Sequence, residues 1–216
     1  MANSKIAIAN IALGLISEPE IQDFNNPKTK NERVLKSLFD EVFTEVCSEF
    51  PWNFCTKSVQ LAESSETPIG YSNSFIVPTV PKTLRVLKLE NVGATDPNWE
   101  RQGYNILVNS AECFVKLVYL VDDMTLVPPH VVRAISTLLA SRIAVPILGV
   151  EGQSLASYYQ QLYTNEVRPN AQYLDANEGK AQHNEESSVM GGYWIDGHFM
   201  NDAYGGQIDF VDVSGV

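Results

Sequence analysis

The residues of this chain whose types could do chemistry are three histidines, one serine in a glycine-led stretch, two adjoining aspartates and three cysteines. Histidine suits metal ligation and general acid–base work. Yet His130, His183 and His198 include no pair at the H-x-x-x-H spacing that sets two donors on one helix face. Ser154 lies in Gly152-Gln-Ser154-Leu-Ala156, a faint echo of a nucleophile elbow without its second glycine or a preceding strand. Its position fits a helix N-cap better, because a serine oxygen there accepts an otherwise unpaired backbone N–H. Asp122-Asp123 offers neighbouring carboxylates, which a solvated loop end explains. Gly191-Gly192 and Gly205-Gly206 lack the strand–loop–helix setting of a phosphate cradle. Cys47, Cys55 and Cys113 are too few and too scattered for a disulfide framework or a zinc site, and read as small buried hydrophobes. The expectation is therefore no catalytic residue, no metal and no cofactor.

Positioning groups of any kind requires a core, and the composition supports one. The chain has 216 residues, 44% hydrophobic and 10% aromatic, enough for one domain carrying an inserted subdomain. No uninterrupted apolar run approaches the length of a membrane span. The N-terminus lacks the strongly basic start and small-residue cleavage site of a signal peptide, and the reduced, buried reading of the cysteines leads to the expectation of assembly inside a cell. The net charge of −11 is uneven: from Ala171 onward eight acids face only Lys180. A protein that grips phosphate backbones needs clustered lysine and arginine, so specific nucleic-acid binding is not expected. Surrounding DNA without holding it is compatible with that charge.

Along the chain, a first helix begins near Ser4 and carries Ile6, Ile8, Ile11, Leu13 and Leu15. It is apolar nearly all round, which predicts burial on several sides. Asn26 as cap and Pro27 at the first position predict the start of a second helix, with Val34, Leu35, Leu38, Phe39, Val42, Phe43 and Val46 at helical spacing. Pro51 must end it. Alternation from Asn53 predicts a strand, so Pro51, Trp52 and Phe54 form a structural corner where bulky rings fill the joint. After a polar loop over residues 63–74, short strands are expected at Phe75–Val77, Leu84–Asn91, Trp99–Gln102, Ile106–Val108 and Phe114–Val121. These make a small antiparallel subdomain of about four to six strands. Helix resumes at Pro128-Pro129 and should end at Pro146 and Gly149. A last helix runs from Gln153 or Ser154 toward Asn177, with Pro169 kinking or splitting it.

The plan is α+β. A helical bundle of about four helices, from residues 1–52 and 126–179, is interrupted by a small antiparallel β-subdomain at 53–125. An extended acidic and aromatic C-terminal tail follows at 180–216. Tyr193, Trp194, Phe199, Tyr204 and Phe210 punctuate that tail. Aromatic rings in a segment too polar to build a core point to docking on a partner surface.

Several phrases then occur in order: "IANIALGLISEPEI", "FPWNFCTKSVQLA", "YSNSFIVPTVPKTLRVLKLEN", "VKLVYLVDD", "PPHVVRAISTLLASRIAVPI" and "SLASYYQQLYTNEVRPNAQYLDANEG". Together, over roughly residues 4 to 180, they resemble the tail tubular protein A family, the head-to-tail adaptors of short-tailed bacteriophages. The resemblance implies a virion protein assembled in the host cytoplasm as a homo-oligomeric, dodecameric ring. Such a ring sits below the portal protein, meets the tail nozzle protein and lets DNA pass without binding it. In related connectors the C-terminal segment reaches into the portal, which would make Tyr193, Trp194, Phe199, Tyr204 and Phe210 portal-docking candidates. Two other classes compete with this expectation: a small cytosolic hydrolase using Ser154 or a histidine, and an acidic module that binds a partner through its tail.

Overall fold

The computed structural model describes residues 4–24, 26–65, 68–90 and 98–178. Residues 1–179 make one compact unit. Residues 180–216, with His183, His198 and the five tail aromatics, lie outside the described residues. Within the compact unit the architecture is α+β, with helices packed on antiparallel sheets.

Helix α1 (Lys5–Leu15) starts where expected, with the Ser4 hydroxyl accepting the Ala7 N–H at 3.1 Å. Its Ile8, Ala9, Ala12 and Leu13 are buried, but Ile11 and Leu15 are 47% and 36% exposed, so the expected burial on several sides fails along one stripe. Helix α2 (Lys30–Glu49) starts later than Asn26-Pro27 predicts. Thr29 caps it in a reciprocal box: its side chain accepts the Glu32 N–H at 3.2 Å, and Glu32 accepts the Thr29 N–H at 2.8 Å and the Lys28 N–H at 2.6 Å. Those main-chain donors hold the Glu32 carboxyl below its usual range.

Helix α3 (Pro129–Leu148) is the axis on which α1, α2 and α4 (Gly152–Leu162) all pack. Its buried hydroxyls are satisfied within the helix: Thr137 donates to the Arg133 carbonyl at 2.8 Å, and Ser141 to that of Leu138 at 2.7 Å. The helical run Pro129–Asn177 contains a window apolar enough to cross a membrane, but 72% of that window is buried inside the fold, which marks a core helix. Pro146 does not end α3. It sits in the last turn, and the chain leaves the helix at Gly149, whose φ of 70° is disfavoured for residues with a Cβ. Lys30, at the start of α2, donates to the Ile147 carbonyl at 2.7 Å and so satisfies one of the carbonyls freed at the end of α3.

The last helix is interrupted just before Pro169, which falls in the first turn of a separate segment. A wider π-turn, Tyr163–Val167, joins α4 to α5 (Arg168–Asn177), and the Arg168 N–H reaches the Tyr163 carbonyl five residues back. Proline has no N–H to return to a carbonyl, which accounts for an irregular turn just before it.

Among the described residues the β region holds seven strands in two sheets, more than the four to six expected. The first has the order β1 (Thr56–Gln60), β7 (Phe114–Tyr119), β4 (Thr83–Leu89). The second has the order β2 (Ala62–Glu63), β3 (Asn73–Ile76), β6 (Asn105–Val108), β5 (Trp99–Gln102). All pairings are antiparallel. Both faces of the first sheet are apolar. On β7, Val115 and Leu117 enter a core shared with Phe75, Val77, Ile106 and Val108, while Val118 enters the helical core. On β4, Leu84 and Leu87 pack on the helices while Val86 and Leu89 pack on the other core. The three-stranded sheet is therefore the middle layer between the helices and the four-stranded sheet.

Candidate functional site

Two places in the described residues concentrate unusual chemistry or geometry: a buried polar corner and an open apolar groove.

The corner is built around Trp52, which is fully buried. Its indole N–H donates to the Val46 carbonyl at 2.7 Å, satisfying one of the carbonyls left open at the end of α2. Its ring meets Phe50 edge-on at 4.9 Å and lies 6.3 Å from the His130 ring. One turn of 3₁₀-helix, Asn53–Cys55, precedes β1, so the strand begins at Thr56 rather than at Asn53. Pro51 and Phe54 are half-buried, and Phe54 packs on the helical core. The structure thus gathers Pro51, Trp52 and Phe54 at one joint between α2 and the middle sheet.

The corner is tied to the far end of the fold by residues that spacing does not connect. Asp175, in the last turn of α5, is buried. Its carboxylate accepts the Asn53 backbone N–H at 3.1 and 3.2 Å, and its own carbonyl accepts the Asn53 side-chain amide at 2.6 Å. His130, in the first turn of α3, brings Nε2 to 3.7 Å from the same carboxylate. Tyr163 donates to Glu49 at 2.6 Å, and burial with that carboxylate beside it pushes the phenol up from its ordinary value.

The residues weighed for nucleophilic chemistry are not brought together. Ser154 is exposed inside the first turn of α4 and caps nothing, since α4 follows Glu151 without a side-chain cap. Gly152 packs on the Ala144 carbonyl, placing that turn 14 residues along α3 from His130, about 21 Å at 1.5 Å per residue. His130 is half-buried, with Nε2 3.7 Å from Asp175. Asp123 accepts the Thr125 N–H at 2.9 Å and its hydroxyl at 2.6 Å, which caps a short 3₁₀ turn. Cys47, Cys55 and Cys113 are free and buried. The Cys47 thiol is held up by its hydrogen bond with Cys55 and by burial, and burial pushes Cys113 up to about 11. Among the described residues, no group of three or more His, Cys, Asp or Glu side chains is placed to hold a metal ion.

The groove lies between α1, α3 and the end of α4, with a volume of about 280 Å³. Ile11 and Leu15 form one wall, Val132 and Ser136 the floor, Leu162 the other wall, and Arg133 lies at the edge. Arg133 is paired with Glu166 at 3.6 Å, both well exposed. Tyr159 fixes the α1 wall by donating its hydroxyl to the Leu15 carbonyl. Sequence reading identified Ile11 and Leu15 as apolar helix positions but could not show that they face outward.

No protein-family model and no curated protein matches the chain.

Proposed function

We propose that this chain is a structural virion protein, a head-to-tail adaptor whose copies form a ring joining the portal to the tail nozzle and lining part of the path of the DNA. The observation that carries this reading is the apolar groove with its α1 stripe. Ile11 and Leu15 project from a helix that is otherwise core, beside an open groove on α3 and α4. A single chain gains nothing from that exposure, whereas a ring protomer uses such a face against its neighbour. The element order supports the same reading: two helices, a β region, then a helical hairpin, as the resemblance implies. The net charge of −11 suits a conduit that DNA must pass without adhering.

In this reading no residue is catalytic and no cofactor is used. The partners are further copies of the chain, the portal protein and the nozzle protein. Tyr193, Trp194, Phe199, Tyr204 and Phe210 are the portal-docking candidates. The test is electron microscopy of the full-length chain mixed with the portal protein of the same phage. A closed ring stacked on the portal is the expected result. A chain that stays monomeric and unattached at micromolar concentration overturns the proposal.

A further inference from the structure

Cys47 lies in the last turn of α2, and Cys55 ends the 3₁₀ turn that follows, so the two stand on either side of the Pro51-Trp52 break. Both are fully buried in the helical core, whereas Cys113 is buried in the separate core between the two sheets. The Cys47 and Cys55 thiols are hydrogen-bonded to each other. Cys55 donates its one S–H to the Trp52 carbonyl at 3.6 Å. Its sulfur is therefore the acceptor toward Cys47, and the contact runs from the Cys47 thiol through the Cys55 sulfur to the Trp52 carbonyl. The corner that Trp52 fills thus also brings two sulfurs face to face.

In an unfolded chain two such thiols meet by chance, at the millimolar effective concentration of a short flexible loop. In the folded corner they are already in contact, so the ordering that a bond between them requires has been met by the fold. We propose that Cys47 and Cys55 are a disulfide-forming pair, a modification site at which a small-molecule disulfide staples the end of α2 to the turn that leads into β1.

The reaction is two successive exchanges. One cysteine thiolate attacks a sulfur of the oxidant, breaking its S–S bond, forming a mixed disulfide and releasing a first small thiolate. The other cysteine thiolate attacks the protein sulfur of that mixed disulfide, forming the Cys47–Cys55 bond and releasing the second. The chain gives up two protons and two electrons, and the oxidant is reduced to two thiols. Burial sets the timing. The closed corner keeps Cys47 in its unreactive thiol form and excludes the oxidant, so exchange waits for the corner to open. The pair stays reduced where thiols are kept reduced and closes in an oxidising environment. It is independent of whether the chain forms a ring.

The experiment is a redox titration of the full chain with reduced and oxidised glutathione, quenched by acid and read by peptide mass spectrometry. It is run in urea just below the unfolding transition, where transient opening admits the reagent, and again in urea that unfolds the chain. Each equilibrium is approached from both the reduced and the oxidised chain. The expected product is a Cys47–Cys55 disulfide, with an equilibrium constant about tenfold or more larger for the folded chain than for the unfolded one. Cys47→Ser and Cys55→Ser should each halt at a mixed disulfide on the thiol that remains. Should a serine variant fail to fold, the wild-type comparison of folded and unfolded chain decides the matter. A constant no larger for the folded chain, a folded-chain disulfide that includes Cys113, or a wild-type chain that halts at mixed disulfides overturns the pair.

Discussion

At the scale of the residue, Trp52 does two jobs that no other side chain could share. It fills the joint between α2 and the middle sheet, and its indole N–H answers a helix-end carbonyl. Trp52→Ala should cost about 3–5 kcal/mol, the range for emptying a large buried site, with the orphaned Val46 carbonyl adding to it. Denaturant unfolding would measure this, and a loss below about 1 kcal/mol would mean that the corner closes up around the gap. The thiols make a second prediction. The Cys113 thiol, pushed up to about 11 by burial, is about one-thousandth ionised at pH 8, and Cys47 is shifted in the same direction. A thiol-specific disulfide reagent should therefore leave the folded chain unlabelled and react with all three cysteines on unfolding. Rapid labelling of the native protein would show that one of these sites opens. The corner aromatics were legible in the sequence because proline forces a break and bulky rings mark a joint. Their partners were not: Asn53 and Asp175 stand 122 positions apart, and no local pattern connects residues that meet only through the fold.

At the scale of the element, the clearest lesson lies at two helix starts. Asn26-Pro27 and Thr29-x-x-Glu32 both qualify as openings for α2, and only the second provides two reciprocal hydrogen bonds. The glutamate three residues after Thr29 is a signal that the Asn26-Pro27 reading passed over. Thr29→Ala should cost about 1 kcal/mol, measurable as a shift in the unfolding midpoint with an unchanged slope. The α3–α4 hairpin gives a sharper case. A Cβ at Gly152 would lie 2.3 Å from the Ala144 carbonyl oxygen, a backbone atom that cannot swing aside. Gly152→Ala should therefore destabilise by about 1–3 kcal/mol, where an ordinary glycine in a helix would gain from alanine. A stabilised variant would mean that the hairpin is looser than its geometry states. The strands from β3 to β7 were readable to within two residues, because alternation and turn residues are local, whereas β1 starts three residues after the expected Asn53 and β2 was not expected. The division into two sheets was not readable, since it depends on which face of β7 each neighbour covers.

At the scale of the whole molecule, the question is why a helix as apolar as α1 is left partly uncovered. Hydrophobic content alone predicted burial on several sides, and four of its residues are buried as expected. The stripe of Ile11 and Leu15 departs from that because composition says how much apolar surface a helix carries, not what covers it. If the cover is a neighbouring copy, charging the stripe should break assembly without harming the fold. Ile11→Glu replaces a side chain that is already 47% exposed, so its effect on unfolding free energy should stay within about 0.5 kcal/mol. In a ring contact the same carboxylate would be buried without a partner, a cost large enough to abolish association. Val150→Glu is the matched control, on a residue that is 80% exposed and does not line the groove. Sedimentation of the full chain, with and without portal protein, separates the cases. Loss of the ring in Ile11→Glu alone, at unchanged stability, assigns the groove to the protomer contact. Loss in both variants points to general sensitivity to added negative charge on an already acidic chain. Rings in both variants leave the adaptor reading standing but move the contact elsewhere, because a buried glutamate against an apolar wall is not a load that a ring interface would carry silently.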